Sequence, residues 1–256
     1  MILFIFEGTR REPDIFRTLE YLYFPKGQTI VCSFGNNIYE LYRQLGELDD
    51  AGDVVSLLIE RERDNPESPF APGITAADFS EVYLFFDYDF QNQNLSMEKM
   101  NARIGEMLEV FSDETDNGKL YINYPMIEAI RYTKLLPDHQ FASYTVSRED
   151  CMGDGFKTMA QDFSDYGSLD FIVLDTRKTP SKERYMQVKD NWELLKIQHV
   201  CKANYLCNGQ DGLPLDKESI SQKKLFGAQL SNFVIPGNEV SIICAIPLFQ
   251  YDYFKH

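Results

Sequence analysis

MILFIFEGTRREPDIF (residues 1–16) opens on six apolar side chains in a row, meets its first charge at Glu7 and turns at Gly8. A continuous apolar run of this length is the pattern of a strand buried on both faces, because neighbouring residues on opposite sides must then both be apolar. The period changes after the turn. Ile15, Phe16, Leu19, Leu22 and Tyr23 recur at helical spacing over 13–24, and Glu12 and Pro13 suit a first turn. Strand, turn and helix in this order form the unit from which parallel sheets are built.

QTIVCSF (28–34), EVYLFF (81–86) and KLYIN (119–123) read as further strands. Helices are predicted over 38–48, with Asn36 as its cap, and over 96–111, where Met97, Met100, Ile104, Met107, Leu108 and Phe111 share one side. Another is predicted from Pro125 to Tyr132. The 47–67 segment holds eight acidic and two basic residues; an amphipathic helix at 54–59 leads there into a loop carrying Pro66, Pro69 and Pro72. The expected fold class is therefore α/β, a mostly parallel, doubly wound sheet flanked by helices over 1–135. Residues 136–256 read as a mainly helical region packing on that core, with helices over 187–206 and 219–233, a strand at 171–174, and a core strand and closing segment at 240–253 (VSIICAIPLFQYDY).

With 256 residues, 44% of them hydrophobic, the chain is long enough for a large buried core. Its apolar runs fall far short of the ~20 residues of a membrane helix, and no basic region precedes the first one, so neither a span nor a signal peptide is expected and the protein reads as cytoplasmic. Five scattered cysteines without a C-x-x-C spacing argue against a disulfide framework and a zinc site, and three histidines are too few for a histidine-built metal centre. Carboxylates must do any metal binding. The net charge of −15 lacks the basic footprint usual for phosphate binding, which leaves two routes to a nucleic acid: bound divalent cations, or a basic partner that presents the substrate.

Ligands of open parallel sheets collect at the carboxyl ends of the strands. Acids fall there in three segments: Glu7 after MILFIF, Asp87 and Asp89 after VYLFF, and Glu128 just beyond KLYIN. Strand alternation would send Asp87 and Asp89 to one side with Tyr88 turned away. Taken singly, such an acid is more often a helix cap or a solvated loop residue. Together they form an expected cage for Mg²⁺ or Mn²⁺, hard cations that prefer oxygen ligands and, as a pair, can activate a water and stabilise the leaving oxygen of a phosphodiester.

EGTRREPDIF (7–16) resembles the opening of RloB-like and OLD-type Toprim proteins, in which an apolar strand ends in Glu-Gly and a second Glu, here Glu12, follows within the next turn. The DYD at 87–89 resembles the Toprim D-x-D. NYPMIEAIRY (123–132) is similar to the Asn-Pro-x-x-Glu block of RloB-like proteins, with Tyr124 placed between Asn123 and Pro125. The resemblance covers about half the chain. It implies a Toprim-like fold and a metal-dependent endonuclease for DNA or RNA, the effector of a bacterial anti-phage system with an ATPase partner. It further implies that Glu7, Asp87 and Asp89 are catalytic, that Glu7, Glu12, Asp87, Asp89 and Glu128 ligate Mg²⁺ or Mn²⁺, and that Gly8, Arg10 and Arg11 meet the substrate phosphate. The competing expectation is a non-catalytic Toprim-like binding or sensor subunit that docks on such an ATPase; self-association stays open.

Weaker signals lie in the second half. His199 and Lys202 read as an ordinary exposed pair on a helix, or a basic patch. Arg177, Lys178, Lys182 and Arg184 form its densest basic stretch, read as a solvated loop.

Overall fold

The computed structural model describes residues 1–46 and 53–254, so part of the acid-rich 47–67 segment and the last residues of the helix expected over 38–48 lie outside the described residues. The chain divides into two compact units, Met1–Phe86 with Leu95–Leu120, and Asp87–Asn94 with Tyr121–His256.

The first unit is organised by β1 (Ile2–Phe6), which is followed by α1 (Arg11–Tyr23), β2 (Thr29–Ser33), α2 (Ile38–Gly46), α3 (Val54–Arg61), β3 (Glu81–Asp87), α4 (Met97–Val110), β4 (Ser112–Asp113) and β5 (Gly118–Asn123), the last residue of β3 and the last three of β5 being counted in the second unit. β1 pairs in parallel with β2 on one edge and with β3 on the other, within a sheet of order β2-β1-β3-β5-β4 whose β4–β5 pair is antiparallel. The chain is thus α/β with a mostly parallel five-stranded sheet.

Alternation along β1 explains its composition. Phe4 and Phe6 point to the face that α1 covers, where Phe16 lies 4.1 Å and 5.3 Å from their ring centroids. Tyr83 stacks on Phe4 at 5.5 Å and Phe85 on Phe6 at 5.0 Å. Leu3 and Ile5 point the other way and are equally buried. Side chains of β3 fill the space beside Gly118 of β5, which has φ 107°: a Cβ there would lie 2.8 Å from Leu84 Cδ1. Asp53 caps α3 by accepting from Ser56 N–H at 2.7 Å, and Ser96 caps α4 by accepting from Lys99 N–H. The cap of α2 is Asn37 and not Asn36. Asn37 Oδ1 accepts from Glu40 N–H at 3.0 Å, because it is the residue directly before the first helical turn.

The second unit contains β6 (Thr145–Ser147), α5 (Gly155–Phe163), α6 (Lys182–Asn208), α7 (Gln222–Gln229), α8 (Ile235–Gly237), β7 (Glu239–Ser241) and α9 (Ala245–Tyr253). It is mainly helical, with β6 and β7 joined as a small antiparallel sheet. α6 starts at its Ser181 cap and stops at Gly209, which adopts the left-handed φ of 64°.

Three local expectations change here, and a fourth gains detail. The segment after Pro125 makes only a 3-10 turn, Ile127–Arg131, since Met126 is still extended. The strand expected at 171–174 does not form: Phe171 closes a 3-10 turn, Leu169–Phe171, and 172–174 are irregular, with the indole of buried Trp192 donating to the carbonyl of Ile172 at 2.8 Å. The helix expected over 219–233 is broken into α7 and a π-helical turn, Leu230–Val234, immediately before Pro236, whose missing N–H disrupts the regular ladder. The 240–253 run supplies a short strand and then α9, with Pro247 in the first turn, where no backbone donor is needed.

Truncating Phe4 removes a ring that packs against α1 and β3. Phe4→Ala should lower unfolding free energy by about 3–5 kcal/mol, read as a shift in the denaturant midpoint at unchanged slope.

Candidate functional site

In the first unit, Glu7 sits immediately beyond β1 with its backbone held from both sides. Its N–H donates to the carbonyl of Phe85 at 3.0 Å, and its carbonyl accepts from Gly35 N–H at 2.8 Å. Its side chain is half-buried. The chain then folds so that Glu12, 6% exposed, reaches back to Gly8, whose N–H donates to Glu12 Oε1 at 3.1 Å. A Cβ on Gly8 would lie 2.7 Å from that same oxygen, so a larger residue there would push the Glu12 carboxylate away from its bond to the Gly8 N–H. Arg10 and Arg11 are exposed at the start of α1.

In the second unit, Asp87 is half-buried and its carboxylate is oriented by an amide. Asn123, 1% exposed, donates from Nδ2 to Asp87 Oδ1 at 2.9 Å, while its Oδ1 accepts from Ala245 N–H at 2.8 Å. Both ends of one buried side chain are thereby satisfied. Tyr88 is fully buried among Phe90, Tyr124 and Phe226.

Asp89 is placed by a turn and not by strand alternation, since β3 ends at Asp87 and Asp89 has φ 56°. A non-glycine residue in that region costs energy and is held there by its surroundings. Gln91 donates to Asp89 Oδ1 at 2.7 Å and Asn92 to Oδ2 at 3.2 Å. Burial raises the carboxyl pKa above its ordinary value, and these two amide bonds oppose that shift. Glu128 is buried in its 3-10 turn.

Glu7 and Glu12 thus belong to one unit, and Asp87, Asp89 and Glu128 to the other. Among the described residues, no group of three or more His, Cys, Asp or Glu side chains is arranged to hold a metal ion. The donor chemistry nevertheless fits a hard cation carried mainly by water and substrate, which takes only one or two carboxylates from the protein. Asp87, fixed by Asn123, is the best prepared of them.

Asn123 entered the sequence reading only as part of a motif. Gln91 and Asn92 were missed altogether, although the amide run QNQN directly after DYDF is a legible sign of a polar, hydrogen-bonded turn. His199 and Lys202 are not an exposed pair: they are 0% and 1% exposed. Lys202 Nζ donates to the carbonyls of Phe141 and Tyr144 at 3.0 and 2.6 Å, and His199 Nδ1 accepts from Cys244 N–H at 3.1 Å. Of the basic stretch, Arg177 pairs with Asp175, and Arg184 ties the carbonyls of Asp170 and Val173 to α6. The five cysteines are free thiols.

No protein-family model matches the chain, and no curated protein and no solved structure matches it either. Among the described residues, no helix is long and apolar enough to cross a membrane.

Asn123→Ala, which strips a partner from both Asp87 and Ala245, should cost about 1–3 kcal/mol in a denaturant melt. Burial, and then the nearby Lys202, push the His199 pKa from 6.5 down to about 3. The unfolded chain therefore binds more protons than the folded one between these values, and stability falls as pH drops below 6.5. The loss should approach about 1.4 kcal/mol per pH unit from this one group, and melts across that range should show a shallower pH slope for His199→Gln.

Proposed function

We propose that this chain is a metal-dependent nuclease of Toprim type, cleaving DNA or RNA phosphodiesters as the effector of an anti-phage system with an ATPase partner. The observation that carries the reading is the Glu7-Gly8-Glu12 arrangement. An acid directly beyond an interior parallel strand has its backbone locked on both edges, and a second buried acid folds back onto the intervening glycine. Such rigidity suits a group that must meet a reacting centre, and it exceeds what a helix cap needs. The resemblance of EGTRRE, DYD and NYPMIE to RloB-like and OLD-type proteins supplies the reaction class.

In this reading Glu7, Asp87 and Asp89 are the catalytic carboxylates, with Glu12 and Glu128 as supporting ligands of Mg²⁺ or Mn²⁺. Bound divalent ions would polarise the phosphoryl group and lower the pKa of a water nucleophile. They would also offset the charge of −15 that otherwise repels a polyanion. Asn123 presents Asp87 in one orientation. In the same reading Gly8 lets the backbone approach a substrate phosphate, and Arg10 and Arg11 would meet its charge.

Glu7→Ala and Asp87→Ala should each lower Mn²⁺-dependent cleavage of nucleic acid by roughly a hundredfold or more while the circular dichroism spectrum is unchanged. Wild-type rates in both variants would overturn the reading.

The second reading, a non-catalytic binding or sensor subunit, is favoured by the absence, among the described residues, of a preassembled three-ligand group and by the acidic balance. It requires a stable complex with an ATPase that survives both substitutions, with no cleavage under any metal condition.

A further inference from the structure

We propose that Arg148 is a positioning residue that sets the conformation of the Asp87–Asn94 segment and thereby the placement of Asp89. Arg148 follows β6 directly, and its own backbone is fixed there by a bond from its N–H to the carbonyl of Asn238 at 3.0 Å. Its half-buried side chain spans 58 residues of sequence to donate from Nε to the carbonyl of Phe90 at 2.9 Å. A second bond runs from Nη2 to the carbonyl of Asn92 at 2.5 Å. The two acceptors flank Gln91, the residue whose amide holds Asp89 Oδ1. Both guanidinium bonds go to backbone carbonyls and neither to a carboxylate, so the charge is used to hold a loop.

The geometry asks for arginine. Nε and Nη2 lie on one edge of a rigid plane and reach two carbonyls at once, whereas an ammonium offers a compact point of charge on a flexible stem. Asp89 needs such support because its φ of 56° is sparsely populated by a residue with a Cβ and persists only where neighbours over-determine it. Asn92 contributes its N–H to the carbonyl of Asp89 at 2.8 Å, and Arg148 grips the far side of that same residue. The clamp stands on this geometry alone; its bearing on catalysis rests on the nuclease reading.

The test uses the whole chain with Arg148→Lys, and Arg148→Ala as a second variant. Amide hydrogen exchange without metal is followed at 88–94 and at β1 and β3. Exchange in the loop should quicken by about tenfold, as when one charge-assisted hydrogen bond is lost, with the strands unchanged. In cleavage assays the Mn²⁺ concentration for half-maximal rate should rise by about tenfold in Arg148→Lys, with much of the rate restored at saturating Mn²⁺. Unchanged loop exchange in both variants, or an equal loss of protection in strands and loop, overturns the clamp. Quickened loop exchange with an unaltered Mn²⁺ requirement overturns its role in positioning Asp89. If the wild-type chain cleaves nothing, the nuclease reading fails, and the exchange arm still decides the clamp.

Discussion

β1 is hydrogen-bonded along both edges and covered on both faces, and the rest of the first unit follows from that double demand. Parallel neighbours on each side satisfy its backbone donors and acceptors, which have no water to turn to. Helix-facing rings on one side and aliphatic chains on the other remove its side chains from solvent. A strand used up on four sides has only its carboxyl end to offer to chemistry. That end is Glu7, and the same ladder that buries Phe6 also fixes the backbone of the acid beyond it.

A different kind of restraint operates in the second unit, where polar side chains reach backbone groups distant in sequence. Asn123 ties Asp87 to the start of α9, Arg148 grips the loop around Asp89, and Lys202 draws two carbonyls near β6 onto α6. Each replaces water with a fixed dipole or charge, and each would leave a costly unpaired group if removed. A carboxylate that must present one oxygen in one direction is better served by such bonds than by solvent. Asp89 shows the accompanying cost. Its left-handed backbone and desolvated carboxyl are both unfavourable locally and are retained by amides and by Arg148.

The acidic balance of the chain and the chemistry of its strand ends point the same way. Asp89 is held by two neutral amides, one on each carboxylate oxygen, so its charge is oriented without being neutralised by those bonds. In the nuclease reading, a bound divalent ion would supply the positive charge that the sequence does not place in a basic patch.

Periodicity and punctuation alone made the α/β sheet legible: a six-residue apolar run closed by Glu-Gly admits few structures other than a buried parallel strand. The amphipathic stripe of α4 is local in the same way, because it concerns residues within one or two turns of each other. Where a helical period runs up to a breaker, local information failed: the 219–233 helix was broken ahead of Pro236. Burial of His199 and Lys202 was invisible because their partners, Cys244, Phe141 and Tyr144, lie at least 45 residues away in sequence. The sequence by itself determined which acids follow which strands, since that depends on order along the chain. Only the tertiary structure decided how Asp87 and Asp89 are held, because a hydrogen bond from Asn123 or Arg148 requires segments 36 and 58 residues apart to meet.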